Sequence, residues 1–377
     1  MYISGIGRTE FGFSKQSLPQ LIYKAIYEAI KDSPISIEQI DAIFVSNFLS
    51  GLCDNQLHLN SIVSSLLPEL KIPIIRIETA CSSGATALYQ SLISMPHYRN
   101  VLVVGVEKMT HVDNIKLTGH IASASDRTLD QEQGLIFPAN YALIAQQHFQ
   151  RYNSTHEDLV LISYKNHQNA NLNPLAHFNY KKVTMEMIEN APLVAAPLTL
   201  FDCSPISDGA AALVISDKRT SSRDIEIIGM GIGTDFISLS QRKELTSFEA
   251  TKIAAKKAYD MAKVGPEDIN VAELHDCFTI SELISMEDLG FCKPGEGKYL
   301  VREKRTMIKG DIPINTDGGL KANGHPMGAS GISQVYEIVM QLRKEAGKRQ
   351  VQNANLGLSH SLGGIGGTSV VHIFRGE

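Results

Sequence analysis

Two pairs of segments in this chain repeat each other, and no other feature constrains its fold as strongly. Residues 20–48 read QLIYKAIYEAIKDSPISIEQIDAIFVSNF, and residues 249–277 read EATKIAAKKAYDMAKVGPEDINVAELHDC. Each is an amphipathic helix, a Pro- or Gly-containing turn, a short acidic helix start and an apolar strand. Ile40–Asp41 aligns with Ile269–Asn270 and Glu38 with Glu267, which sets Ser46 opposite His275. Farther along, ACSSGATAL (80–88) matches GHPMGASGI (324–332), with Cys81 against His325, Gly84 against Gly328 and Ala85 against Ala329. A helix and then an apolar strand are expected after each, in NVLVVGVEKM (100–109) and VQNANLGLSH (351–360).

Two βαβ-rich halves related by a pseudo-twofold axis would bring corresponding loops to one central site. The fold class is therefore α/β, and Cys81 is expected beside His325. The N-terminal half spans 1–109 and the C-terminal half 223–377. Residues 110–222 have no counterpart in the other half and hold polar stretches such as KNHQNANLNPLAHF (165–178). They read as an inserted loop domain whose last part returns to the N-terminal half. A length of 377 residues suits two or three such units.

A net charge of −5 argues against nucleic acid or an anionic membrane surface as partner. No apolar run reaches the ~18 residues of a membrane span. Five scattered cysteines suit a reducing compartment, with Cys53, Cys203 and Cys292 read as ordinary small apolar residues. The opening MYISGIGRTEFG reads as strand and turn, leaving no room for a targeting peptide, and the closing FRGE is not a peroxisomal address. The expected location is cytoplasmic.

Cys81 is the leading candidate for chemistry. It stands where a β-rich stretch enters a helix, so the helix dipole and unpaired N–H groups favour its thiolate. Small neighbours, Ser82, Ser83 and Gly84, leave room for a substrate carbonyl. His325 follows a glycine-rich loop and can take the proton of a nearby thiol, with Pro326 at the first helical position. His275 and Cys277 alternate along an expected strand, so both face one side and Asp276 the other. Whether His275–Asp276–Cys277 is chemistry or the polar end of a buried strand stays open at this point. A zinc site through His275 and Cys277 lacks any further ligand spacing, so no metal is expected. LSHSLGGIGGTSVVHIF (358–374) holds a Gly-rich bend suited to an oxyanion hole, with His360 and Gly363 as further candidates. GMGIGTD (229–235) is a poor dinucleotide loop, because no acidic residue is properly placed after it.

In ETACSSGA, SDGAAALV (207–214), HDCF, NTDGGLKANGHPMGASG and the closing GGIGG, the chain resembles the thiolase family over nearly its whole length. HDCF, together with KNHQNANLNPLAHF and DCSPISDGAA, is similar to the sterol-carrier-protein-type thiolases and the archaeal acetoacetyl-CoA thiolases. The resemblance implies a five-layered αβαβα fold with an inserted loop domain, in a homodimer or homotetramer. It implies an acyltransferase that cleaves 3-oxoacyl-CoA with CoA, or condenses acyl-CoA with acetyl-CoA, through an acyl-cysteine. CoA thioesters would be substrates, with no resident cofactor.

The implied roles carry over one at a time. Cys81 matches the acylated nucleophile and His325 its base. His275 matches the position that, with a water, binds the thioester oxygen of the second substrate. The backbone N–H groups of Cys81 and Gly364 match a second oxyanion hole. Most thiolases put their acid/base cysteine in a C-terminal Cys-x-Gly loop, where this chain has Ser361–Leu362–Gly363–Gly364. In relatives with HDCF the cysteine of that motif takes the role, which implies Cys277. Such relatives carry His-Asn in the last loop, where this chain has His360–Ser361, so no sharp role for His360 follows. Two other readings compete: a thiolase-like ketosynthase or acyltransferase of secondary metabolism, and a scaffold subunit dependent on a synthase and a small OB-fold partner. Two cysteines beside GHP speak against the first, and intact Cys81, Cys277 and His325 against a dead scaffold.

Overall fold

In a computed structural model, which describes residues 1–376, the chain forms a nine-stranded sheet and a two-stranded ribbon. The strands are β1 (Tyr2–Arg8), β2 (Ala42–Ser46), β3 (Ile74–Ile77), β4 (Asn100–Glu107), β5 (Leu193–Ala195), β6 (Leu198–Thr199), β7 (Gly209–Ser216), β8 (Ile225–Thr234), β9 (Val271–Glu273), β10 (Leu356–Gly363) and β11 (Thr368–Arg375). The large sheet runs β3-β2-β4-β7-β1-β8-β11-β10-β9. Its joint is thin, since β1 meets β8 at Tyr2–Glu226 and Ile3–Ile225. It is in effect two sheets touching at a corner.

The two sheets repeat one topology. β2 and β4 are parallel neighbours, followed by antiparallel β7 and β1. β9 and β10 are parallel neighbours, followed by antiparallel β11 and β8. The counterpart of β3 has shrunk to a single parallel bridge, Ala272 with Ile314. Glycines on the first strand of each half let a helix lie directly on the sheet. A Cβ on Gly7 would meet Ala29 N at 2.3 Å in the helix Leu18–Asp32, and one on Gly231 would meet Ala254 O at 2.0 Å in the helix Glu249–Ala262. The GMGIG run is therefore a packing surface.

One part of the expected repeat is out of register. Ala42 pairs with Val101 and Val271 with Gly357, so Val101 corresponds to Gly357. The strand set against 100–107 is 356–363, and 351–355 is the turn before it. Val351 and Ala354 are buried without being strand, so apolar content there does not mark the strand.

Period-two alternation distributes the strands between layers. Ile43, Val45, Leu102 and Val104 face outward against the helices Leu18–Asp32 and Leu59–Leu66. Ala42, Phe44, Val101 and Val103 face inward, against Leu88 and Leu92 of the helix Ser83–Ser94 and Ile332, Val335 and Val339 of the helix Met327–Leu342. Ile227, Val271 and Phe374 of the second sheet cover the same two helices from the far side. Leu358, Val371 and Ile373 then meet Ala254, Ala258 and Leu283 of the outer helices. The order is helix, sheet, helix pair, sheet, helix: five layers, αβαβα.

Residues between β4 and β7 hold the helices Asn114–Ala122, Phe137–Tyr152, His156–Ala170 and Met185–Glu189 and the β5–β6 ribbon. They pack on the C-terminal half, and β7 returns the chain to the N-terminal sheet. The polar KNHQNAN stretch has a specific task there. Lys165 Nζ donates to Ile314 O at 2.9 Å, Asn169 Nδ2 to Asn315 O at 2.9 Å, and Asn173 Nδ2 to Asp317 O at 3.0 Å. Buried side chains thus help satisfy the carbonyls of the loop leading to His325, whose pairing with β9 is limited to one bridge. No helix among the described residues is long and apolar enough to cross a membrane.

Candidate active site

Cys81 lies in a tight turn between β3 and the helix Ser83–Ser94. Ala80 enters it with φ +53°, a left-handed conformation costly for alanine. Hydroxyls hold the turn: Ser82 Oγ donates to Thr79 O at 2.8 Å, and Thr79 N donates to Ser83 Oγ at 2.9 Å. Small residues are required here because the two inner helices start against each other. A Cβ on Gly331 would sit 2.5 Å from Ala85 N, and one on Gly84 3.0 Å from Gly328 O. The small residues shared by CSSGA and GHPMGASG are the contact that brings Cys81 to His325.

His325 is oriented by its own helix. Ser330 Oγ donates to Pro326 O at 3.0 Å, so it accepts from His325 Nδ1–H at 2.7 Å. The free lone pair is then on Nε2, which has no protein partner. Pro326 is the cap rather than the first helical residue, the helix beginning at Met327. From the other half, Ser46 Oγ donates to Gly328 O at 2.7 Å and Gly328 N donates to the buried Glu107 at 3.0 Å. The His325 turn is thereby pinned across the pseudo-twofold axis.

His275 and Cys277 are not on a strand. β9 stops at Glu273, because Leu274 N turns to Asn315 Oδ1 at 2.7 Å. The loop that follows is shaped by Asp276, which accepts from Leu320 N at 2.6 Å and Asn166 Nδ2 at 2.7 Å. Asp276 therefore points into the scaffold, as expected, while His275 and Cys277 point elsewhere. Cys81 Sγ and a ring nitrogen from each of His275 and His325 lie within 4.8 Å of one another. The two imidazoles meet edge to face at 5.3 Å. Both ring nitrogens of His275, which is fully buried, lack a protein partner. Among the described residues this trio has the convergence that could hold a metal ion, and the same convergence suits proton transfer and oxyanion binding.

Cys81, Cys277, His325 and Gly364 line one cavity of about 280 Å³. Its remaining wall is mostly apolar and includes Ile121, Phe137, Ile206 and Met327. Gly364 enters with φ +62°, in the bend between β10 and β11. Gly363 packs outside the cavity, against the Cys81 turn, where a Cβ would sit 2.4 Å from Thr79 O. His360 is turned toward the outer helix: Thr251 Oγ1 donates to Ser369 Oγ at 3.2 Å and so accepts from His360 Nε2 at 3.1 Å.

Burial sets the protonation states. It pushes the Cys81 thiol up to about 12, against the N–H groups of Gly364 and Cys81 itself, which draw it back. The expected helix-terminus activation is outweighed, since the desolvation of a thiolate in an apolar wall exceeds a dipole contribution. Burial holds His325 down at about 3. Burial, then His325 and His360, hold His275 well below the ordinary range. Burial and then Cys81 hold the Cys277 thiol well above its ordinary range. Burial thus favours the neutral thiol and the neutral imidazole throughout the site.

Three contributors carry no sequence signal of their own. Cys203, read as an ordinary apolar residue, lines the cavity. Tyr141, fully buried in the loop domain, stacks on Phe278 at 4.4 Å. Ser330 is detectable only once the tautomer of His325 is asked about.

The family models match on both sides of the molecule. The thiolase N-terminal domain covers residues 1–219 and the thiolase C-terminal domain-like model residues 231–376. The chain is 42% identical to an acetyl-CoA acetyltransferase of Methanothermobacter thermautotrophicus, over 99% of this chain and 98% of that protein. It is 31% identical to sterol carrier protein 2 of Rattus norvegicus, over 100% of this chain and 72% of that one. Among solved structures, an Ltp2–ChsH2(DUF35) aldolase superposes with a TM-score of 0.86 at 24% identity, covering 100% of this chain and 97% of the other. Human mitochondrial 3-ketoacyl-CoA thiolase in complex with CoA superposes with a TM-score of 0.74 at 18% identity, over 100% and 98%. The doubled αβαβα architecture and the matched halves agree: this chain belongs to the thiolase family and is an acyltransferase.

Proposed function

We propose that Cys81, His325, His275, Cys277 and Gly364 divide the thiolase reaction among them. The observation that carries this is that Cys81, Cys277, His325 and Gly364 line one apolar cavity and His275 lies within 4.8 Å of Cys81 and His325, with the lone pair of His325 Nε2 unengaged. In the cleavage direction Cys81 Sγ attacks the 3-oxo carbon of a 3-oxoacyl-CoA while His325 Nε2 takes its proton. The N–H groups of Cys81 and Gly364 reach the sulfur and are placed for the alkoxide that forms on the attacked carbon. Collapse breaks the C2–C3 bond and leaves an acyl-Cys81 and the enolate of acetyl-CoA. His275 holds the enolate oxygen, and Cys277 S–H gives its proton to C2. A CoA thiol then attacks the acyl-enzyme, its proton passing to Cys277, and the proton held by His325 returns to Cys81. Run backwards, the same steps condense two acyl-CoA molecules.

CoA thioesters are proposed as substrates with no resident cofactor, in the cytoplasm. A homodimer or homotetramer is favoured by β3, an edge strand of the first sheet that exposes Ile75. A small partner protein that helps hold CoA is supported by the likeness to the structure titled Ltp2–ChsH2(DUF35) aldolase.

Intact-protein mass spectrometry after mixing with acetoacetyl-CoA tests the chemistry. The expected result is an acetyl adduct that maps to Cys81 and is removed by free CoA. An adduct elsewhere overturns the assignment of the nucleophile.

A further inference from the structure

Tyr141 belongs to the inserted helix Phe137–Tyr152, yet it is fully buried beside both catalytic cysteines. Its ring is fixed by Phe278, stacked at 4.4 Å, and by Phe248, tilted at 6.5 Å. So held, its hydroxyl donates to Gly364 O at 3.2 Å, and it lies close enough to the Cys277 sulfur that each group perturbs the other's ionisation. A phenol has one proton and cannot donate to both. While Cys277 is a thiol there is no conflict, because S–H donates to Oη and Oη–H to Gly364 O. Once Cys277 has lost its proton, the thiolate needs a donor in an apolar wall, and the side chain that favours it there is the same hydroxyl.

We propose that Tyr141 is a positioning residue for the acid/base step, its hydroxyl turning between the Gly364 carbonyl and the Cys277 sulfur as Cys277 gives up and regains its proton. No proton leaves Tyr141. The S–H proton of Cys277 goes to C2 of the enolate, and the thiolate receives the phenol's hydrogen bond. In condensation the thiolate takes a proton from the α-carbon and the hydroxyl turns back to Gly364. That carbonyl belongs to the residue whose N–H reaches Cys81, so one side chain ties the surroundings of the two thiols together. Burial, Cys81 and Asp276 all oppose the Cys277 thiolate, while the Tyr141 hydroxyl and the Phe278 N–H favour it. The proposal rests on Cys277 being the acid/base.

The test compares two half-reactions in Tyr141→Phe: acetylation of Cys81 by acetyl-CoA, followed by mass spectrometry, and exchange of acetyl-CoA methyl protons with D₂O, followed by NMR. Losing a hydrogen bond to a charged sulfur is expected to slow exchange about 10–100-fold. Acetylation is expected to change far less. Because exchange needs the Cys277 thiolate, its rising pH limb should move to higher pH. Equal loss in both half-reactions, or an unmoved limb, would overturn the proposal in favour of a merely structural tyrosine. Cys277→Ala separates the two levels. If it exchanges protons normally, the reading of Cys277 fails; if it does not exchange while Tyr141→Phe exchanges like the parent, only the role of Tyr141 fails. Should Tyr141→Phe not fold, a fluorotyrosine placed at position 141 keeps the shape and strengthens the donor. Its exchange limb should move to lower pH, and an unmoved limb would again overturn the proposal.

Discussion

The loops after β2 and β9 occupy corresponding places in the two halves and are built differently. At the end of β2, Ser46–Asn47–Phe48 is fully engaged. Ser46 donates to Gly328 O, Asn47 Nδ2 to Val106 O and Glu107, and Phe48 N to Glu107. After β9, Asp276 does comparable structural work, accepting from Leu320 N, Lys321 N and Asn166. Its neighbours do not. Both nitrogens of His275 are unpartnered by protein, and Cys277 lines the cavity. One half thus spends this loop on holding the His325 turn, and the other leaves polar groups unsatisfied where substrate oxygen and carbon would sit. Unsatisfied buried polar atoms are rare in folded proteins, and of these two loops only the one after β9 carries them, at His275 beside Cys81 and His325.

The first way to break this comparison is Cys81→Ala. Thiolysis of acetoacetyl-CoA should fall by about 10⁴-fold or more if Cys81 carries the acyl group. Turnover near the parent value would move the nucleophile elsewhere.

A sharper test sets His275→Ala against Ser46→Ala. We expect His275→Ala to lower kcat/KM by about 10²–10³-fold, the scale of one lost oxyanion donor, without unfolding the protein. Ser46→Ala should do the reverse: activity per folded molecule within a few-fold of the parent, and about 0.5–1.5 kcal/mol lost in denaturant unfolding from one missing hydrogen bond to the Gly328 carbonyl. The comparison collapses if the serine variant loses activity and the histidine variant loses stability.

Ser330→Ala should cost less. Without the Oγ acceptor nothing holds the proton on His325 Nδ1, and acetylation of Cys81 should slow by about 10-fold. An unchanged acetylation rate would mean that another group sets the tautomer.

The last test concerns the free enzyme. With the Cys81 thiol pushed up to about 12, its thiolate fraction rises roughly tenfold per pH unit across pH 7–10. Alkylation of Cys81 by iodoacetamide should follow that slope. A plateau at or below pH 8.5 would instead reveal a preformed thiolate paired with a protonated His325.

Much of the architecture was legible because it is written twice. The helix–turn–strand repeat and the match of CSSGA with GHPMGASG need no tertiary information, and they place Cys81 beside His325 through glycines that allow two helices to touch. Legibility failed where local pattern and pairing diverge. Val351 and Ala354 are apolar and buried but precede the strand, and His275 and Cys277 alternate like strand residues after the ladder has ended. In both places the chain's partner is distant: Asn270 Oδ1 takes the N–H groups of Asn355 and Leu356, and Asn315 Oδ1 takes that of Leu274.

By itself, the sequence determined the α/β class, the doubled halves and the residue types able to carry acyl transfer. Periodicity and small-residue spacing are local properties that survive without a fold. Tertiary structure alone decided which groups are desolvated, which tautomer His325 takes and which buried residues reach the site. Burial from every side pushes the thiols up and the imidazoles down. Tyr141, 136 residues before Cys277 in the chain, reaches it only because the inserted helices fold back onto the C-terminal half. Desolvation and long-range contact depend on what surrounds a side chain, and a sequence motif does not state its surroundings.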